Sequence, residues 1–143
     1  MPKLPRFHLA FPVRDLAEAR AFYGTLLGCR EGRSAHDWVD FDFFGHQIVA
    51  HLSTSLPPRE AFNEVDGENV PVRHFGVILA PRDWLALRDR LCEADATFIV
   101  EPGVRFAGKP GEQFTMFLRD PSGNALEFKA FADDARVFAT GAS

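Results

Sequence analysis

Cysteine is scarce in this chain: two residues among 143. Cys29 and Cys92 stand far apart and outside any CxxC spacing, which argues against a disulfide framework and leaves both as small buried thiols. Basic residues form no block and no stripe interleaved with aromatics, and the net charge is −4. The footprint that neutralises a phosphate backbone is therefore missing, and no nucleic-acid partner is expected. No apolar run approaches the roughly 18 residues needed to cross a bilayer, and the opening MPKLPRFHLA lacks the apolar core of a signal peptide. The expectation is a cytoplasmic protein without a membrane partner. Tyrosine occurs once and tryptophan twice, against fifteen phenylalanines, which points to a Phe-packed interior.

What the chain does contain is one pattern written twice. His8 opens HLAFPVRDLAEARAFYGTLLGC and His74 opens HFGVILAPRDWLALRDRLCEAD. Each copy begins with a short apolar run headed by histidine. Residues 6–13 read as a strand with His8, Ala10 and Pro12 on one face and Phe7, Leu9 and Phe11 on the other. Asp15 is positioned to cap a helix whose stripe is Leu16, Ala19, Phe22, Tyr23, Leu26 and Leu27, with Gly28 as its stop. Strands follow at 29–35, 38–44 and 46–52, and Gly45 makes the tight turn between the last two.

Residues 53–72 hold Pro57, Pro58, Gly67 and Pro71 among polar residues and read as a connector. The second copy then predicts a strand at 73–79, a helix at 82–94 capped near Asp83, and strands at 97–100, 113–119 and 124–131, the last entered through the turn Asp120-Pro-Ser-Gly123. The tail 132–143 is expected to be loose. The expected fold class is α+β in one domain, with module one at 6–52 and module two at 73–131. Each module runs strand, helix, three strands, and neither covers its own face alone.

Four donors emerge from this repeat: His8, His51, His74 and Glu127. Residues an even number apart on a strand share a face. His51 lies six positions after Gly45 and Glu127 four after Gly123, so the two share parity relative to equivalent turns. His8 and His74 head matching strands. Three imidazoles and a carboxylate suit zinc, nickel, iron(II), manganese or cobalt with coordination positions left open. His46 has the opposite parity to His51 and reads as non-coordinating, and His36 reads as solvent-exposed. Arg105 and Gln113 flank the expected mouth and are the candidate substrate contacts.

The segments HLAFPVRDLAEARAFYGTLLG, VRHFGVIL and FLRDPSGNALEF resemble the vicinal oxygen chelate superfamily, which includes glyoxalase I, extradiol dioxygenases, fosfomycin-modifying enzymes and bleomycin-resistance proteins. The wording FDFFGHQIVAHL and GEQFTMFLRDPSGNALEFKAF resembles a bacterial subgroup labelled extradiol-type dioxygenases. The resemblance implies two βαβββ units forming a cup-shaped mixed sheet, helices outside, around a divalent metal at His8, His51, His74 and Glu127, often as a homodimer. Glyoxalase I usually carries a carboxylate where this chain has His51, and extradiol enzymes commonly place a tyrosine where this chain has Thr115 and Phe117.

Three functions follow as expectations. The first is dioxygenase-like chemistry on iron(II), in which His8, His74 and Glu127 bind the metal and His51 is a fourth donor or proton shuttle. The second is a glyoxalase-like isomerase, epimerase or lyase on zinc, nickel or manganese, with Glu127 as base. The third is a non-catalytic binding or resistance protein holding a small molecule in a Phe-rich groove. The role of His51 separates the first two, because four protein ligands leave little room for both substrate and O₂.

Overall fold

A computed structural model describes residues 3–55, 62–65 and 68–140. The chain is α+β and forms two compact units, unit one from Met1–Pro58 with Asp120–Asn124 and unit two from Arg59–Arg119 with Ala125–Ser143.

In unit one the alternation seen in the sequence becomes β1 (His8–Val13), whose Phe11 and Val13 are buried while His8, Ala10 and Pro12 are exposed. Three further strands, β2 (Arg30–Ala35), β3 (Trp38–Phe43) and β4 (His46–Leu52), complete a sheet in the order β1-β4-β3-β2, with β1 parallel to β4. The β3–β4 turn is Phe44-Gly45, both with positive φ (54° and 90°), the paired left-handed geometry of a tight hairpin that glycine accommodates without a Cβ clash.

Asp15 caps the helix as expected, its Oδ1 accepting from the Glu18 N–H at 2.8 Å. Only Leu16–Ala19 (α1) is α-helical, however, and Arg20–Leu26 continues as a π-helix. The Leu27 N–H bonds Phe22 O, five residues back, at 2.9 Å. Adjacent Phe22 and Tyr23 are both buried. Tyr23 forms the centre of a ring cluster with Phe11, Phe22 and Phe41 at centroid distances of 5.3, 4.9 and 5.5 Å. Burying each such ring contributes roughly 1.5–3 kcal/mol, so this cluster is the main apolar anchor between helix and sheet.

The DPSGN turn, assigned to module two from the sequence, packs with unit one. Asp120 is buried, and its carboxylate takes the Tyr23 hydroxyl (2.7 Å), the backbone N–H groups of Ser122 (2.9 Å) and Asn124 (2.8 Å), and Asn124 Nδ2 (2.9 Å). Asn124 Nδ2 also donates to Pro12 O, and Ser122 Oγ accepts from the Arg14 N–H. A buried carboxylate requires this degree of hydrogen bonding, and the turn's bonds to Pro12, Arg14 and Tyr23 tie it to that unit.

Unit two carries β7 (Phe98–Arg105), β8 (Gln113–Arg119) and β9 (Ala125–Phe131) as an antiparallel sheet. The strand at 97–100 is therefore longer than its sequence signal. The expected strand at 73–79 appears only as bridges from Phe75 to Leu126 and from Ile78 to Lys129, parallel to β9. Hydrogen bonds from Glu127 N to Phe75 O (2.9 Å) and from Leu79 N to Lys129 O (2.7 Å) still tie it along β9. Unit two thus repeats the parallel first-to-last pairing of unit one. The approach is so close that a Cβ on Gly76 would sit 1.5 Å from Glu127 O.

The second helix, α2 (Pro81–Glu93), starts with Pro81 in its first turn and has no side-chain cap. Asp83 lies inside that first turn instead, where its charge complements the helix dipole. Trp84, Leu87 and Leu91 are buried, and Trp84 Nε1 donates to Phe128 O at 2.9 Å. Cys92, expected to be buried, is exposed, whereas Cys29 is buried. The connector contains a hairpin of its own, β5 (Phe62–Val65) with β6 (Glu68–Pro71), while Pro57, Pro58 and Gly67 lie outside the described residues. The expected loose tail begins with a short 3₁₀ turn at Asp134–Arg136, capped by Asp133. No helix among the described residues is long and apolar enough to cross a membrane.

Candidate functional site

Each sheet is amphipathic, and all the candidate residues on its strands fall on the polar face. In unit two, β8 and β9 turn Met116, Leu118, Leu126, Phe128 and Ala130 inward as fully buried side chains. The opposite parity carries Gln113, Thr115, Glu127 and Lys129. Cross-strand register sets Thr115 opposite Lys129 and Phe117 opposite Glu127.

Glu127 is 8% exposed, so it is not the outward glutamate that its position between Leu126 and Phe128 could also signify. Its Oε2 accepts the Thr115 hydroxyl at 2.5 Å, and its Oε1 lies 3.3 Å from His74 Nε2 and 3.7 Å from Lys129 Nζ. His74 Nδ1 is 2.7 Å from Pro71 O. A carbonyl only accepts, so Nδ1 carries the hydrogen and the neutral ring leaves a bare lone pair on Nε2. That lone pair faces a carboxylate oxygen, an arrangement stabilised only by a proton or a cation placed between them. The Phe117 ring lies edge-on to His74, with centroids 5.0 Å apart, and limits its rotation.

In unit one the face bearing His8 also carries Gln47, Val49 and His51 of β4 and Trp38, Asp40 and Asp42 of β3, as the pairing registers require. His8 lies directly opposite Gln47, and Nδ1 and Oε1 are 2.7 Å apart. Gln47 Nε2 donates to Asp40 Oδ2 at 3.2 Å, with Arg33 Nε 3.7 Å from the same oxygen. His51 is exposed and lies opposite Pro12 and Trp38. It is four register positions beyond Gln47, roughly 13 Å along the strand. His8 and His51 share a face and not a neighbourhood. In unit two the equivalent offset between the residue opposite His74 and Glu127 is two positions, given the Phe75–Leu126 bridge.

The remaining residues singled out from the sequence are clearly placed. Arg105 and Gln113 are direct cross-strand partners at the β7–β8 end, with Gln113 buried and the Arg105 guanidinium 5.1 Å from the Phe106 ring. His46 Nδ1 accepts from the Phe7 N–H at 2.9 Å, a structural role. His36 is exposed beside Asp37. Within either unit, among the described residues, no three His, Cys, Asp or Glu side chains gather to hold a metal. A cavity of about 410 Å³ in unit one, lined by Leu27, Gly28, Cys29, Arg30, Asp42 and Phe44, contains none of the candidate donors.

Sequence reasoning passed over Gln47, Asp40 and Lys129. Gln47 could have been found by parity, since it shares the His51 face and follows the Gly45 turn by two. Asp40 occupies a polar position of the regular alternation in WVDFDF, as exposed Asp42 does, so its burial could not be read from the sequence.

Comparison with known proteins follows the same motifs. The family model described as Glyoxalase/Bleomycin resistance protein/Dioxygenase superfamily matches residues 7–128. The chain belongs to this superfamily. Among solved structures, a glyoxalase/bleomycin resistance protein/dioxygenase from Alicyclobacillus acidocaldarius is 37% identical, with a TM-score of 0.78 over 94% of this chain and 96% of that one. The fosfomycin resistance protein FosX from Listeria monocytogenes (18% identity, TM-score 0.68, 96% and 99% coverage) and a glyoxalase/dioxygenase from Nostoc punctiforme (19%, 0.65, 88% and 90%) share the fold. No curated protein matches the chain significantly. Superfamily members are commonly enzymes acting on small molecules, typically with a divalent metal, and are often dimers.

Two of the residues present suit such a metal. The His74–Glu127 pair is a nitrogen and an oxygen donor with their outer atoms already occupied, Nδ1 by Pro71 and Oε2 by Thr115, which is how metal-binding imidazoles and carboxylates are oriented.

Proposed function

We propose that this superfamily member is a divalent-metal-dependent enzyme for a small molecule with two adjacent oxygens, and that its chemistry is dioxygenase-like on iron(II). The observation that supports the reading is the His74–Glu127 pair, an imidazole nitrogen and a carboxylate oxygen 3.3 Å apart that a metal cation, like a proton, would bridge. His74 and Glu127 would hold the metal, and the family resemblance implies His8 as the further donor. When bound, the metal supplies Lewis acidity toward the two substrate oxygens and, as iron(II), the electrons that activate O₂.

The chain's own residues set the stage. Pro71 O fixes the His74 tautomer, Thr115 holds one oxygen of Glu127, and Phe117 restricts the imidazole. Gln113 and Arg105 supply polar contacts for substrate on the same sheet. The distance along β4 between His51 and the position opposite His8 favours three protein donors over four. Three donors leave room for substrate and O₂ together, the requirement of the oxygenase reading.

A second reading, a glyoxalase-like isomerase, epimerase or lyase on zinc, nickel or manganese, is favoured by Lys129. Its ammonium lies 3.7 Å from Glu127 Oε1 and offers that carboxylate a cationic partner other than the metal, as a Glu127 that leaves the metal to act as base would need. The deciding experiment combines metal analysis of anaerobically purified protein with aerobic and anaerobic assays on a catechol panel and a hemithioacetal. Oxygen uptake with iron supports the dioxygenase. Turnover without oxygen on nickel or zinc supports the isomerase, and metal-free protein that binds ligand tightly overturns both.

A further inference from the structure

The polar face of unit one contains a hydrogen-bonded chain that the metal donors themselves do not require. Asp40 is 6% exposed, on a strand whose neighbours Val39 and Phe41 are core residues. Its carboxylate only accepts, so the Gln47 group 3.2 Å from Oδ2 must be the amide nitrogen. The two ends of an amide are opposite in character. Once its NH₂ is committed to Asp40, Gln47 can offer His8 only its carbonyl oxygen, 2.7 Å from Nδ1. An oxygen acceptor demands that Nδ1 carry the hydrogen. The lone pair of the neutral ring is thereby assigned to Nε2.

We infer that Asp40 and Gln47 are positioning residues that lock His8 as its Nδ1–H tautomer and leave Nε2 as the free donor. The polarity is transmitted by acceptor and donor counting from a buried carboxylate to an exposed imidazole through one amide. Free imidazole side chains in water favour the hydrogen on Nε2, so the lock works against the intrinsic preference and produces a donor atom where an unsupported His8 would carry a hydrogen. Unit two reaches the same outcome at His74 by a different acceptor, the backbone carbonyl of Pro71. Both histidines that head the repeated segments are thus held in one tautomer, by unrelated groups. That the Nε2 so exposed binds metal rests on the function proposed above, whereas the tautomer itself does not.

The test is ¹⁵N NMR of the metal-free protein at a pH where His8 is neutral, reading which ring nitrogen of His8 bears the hydrogen, in wild type and in Gln47→Leu, Gln47→Glu and Asp40→Asn. Wild type is expected to show hydrogen on Nδ1. Gln47→Leu and Asp40→Asn, the latter letting the Gln47 amide turn over, are expected to shift His8 to the Nε2–H form or a mixture. Gln47→Glu, which retains an acceptor, is expected to restore Nδ1–H, a rescue that loss of packing would not give. Hydrogen on Nε2 in the wild type overturns the proposal, as does a Gln47→Leu spectrum identical to wild type. Cobalt(II) titration of the same proteins separates the two claims. If Nε2 is a metal donor, Gln47→Leu weakens binding about 10- to 100-fold. If His8→Ala leaves binding unchanged while the tautomer follows the expected pattern, the lock stands and the ligand role of His8 falls.

Discussion

The Tyr23 hydroxyl donates to Asp120 Oδ2 at 2.7 Å, joining residues 97 positions apart inside one buried network. The tyrosine lies in the FYxxLLG helix segment and the aspartate in the DPSGN turn, so the two most specific sequence signatures of this chain are partners in space. Tyr23 is fully buried. Burial, then the neighbouring Asp120 charge and the hydrogen bond to it, raise its pKa well above the ordinary value.

Replacing Tyr23 with Phe removes one hydrogen bond to a charged group and leaves the ring packing intact. The expected loss is about 1.5–3 kcal/mol, measured by urea unfolding at neutral pH. The raised pKa adds a sign. Because the folded state holds the neutral hydroxyl, its contribution is complete below the unfolded value near pH ~10 and is lost as pH rises toward the folded one. Wild type is expected to lose stability through that alkaline window, and the Phe variant to lose correspondingly less. Equal slopes for the two proteins would reject the assignment.

Gly76→Ala places a methyl group on the Glu127 carbonyl, where a Cβ would lie 1.5 Å away. No rotamer relieves a clash with backbone, so the segment must move away from β9. The expected cost is about 3 kcal/mol, read from thermal unfolding, together with weaker metal binding because His74 moves with the segment. A variant of wild-type stability would mean that the two backbones are farther apart than described.

Thr115→Val keeps the shape and deletes the hydroxyl that holds Glu127 Oε2. Metal affinity is expected to fall about 10- to 100-fold with little change in fold, measured by isothermal titration with cobalt(II) or zinc. Glu127→Gln is expected to cost more than Thr115→Val, since it removes the charge of the proposed ligand.

His51→Ala is expected to leave metal content and affinity within about twofold of wild type, because His51 sits four register positions from the residue opposite His8, a separation of roughly 13 Å that no imidazole spans to a shared ion. Elemental analysis of the purified variant checks this. Loss of the metal would make His51 a ligand and favour the four-donor chemistry.

Much of this architecture could be read before any coordinates, and the particulars explain why. Period-two alternation identified the polar parity of β1, β4 and β9, and the Asp15 cap and the Gly45 turn fell where local chemistry requires them. These are properties of a residue and its near neighbours. The π-helical turn at Arg20–Leu26 was not legible, because its stripe of apolar positions also fits an α-helix and the choice depends on how Phe22 and Tyr23 meet the sheet.

The sequence by itself determined the α+β class, the repeated unit and which side of its strand carries each of His8, His51 and Glu127, since backbone geometry ties side-chain direction to position parity. Only the tertiary structure decided how far each strand slides along its partner. A slide of two residues preserves every face and still moves a side chain by about 7 Å, which is the difference between Glu127 beside His74 and His51 remote from His8. The same holds for Gln47 and Asp40, whose roles arise from which donor meets which acceptor across strands, a matter of register that residue order does not specify.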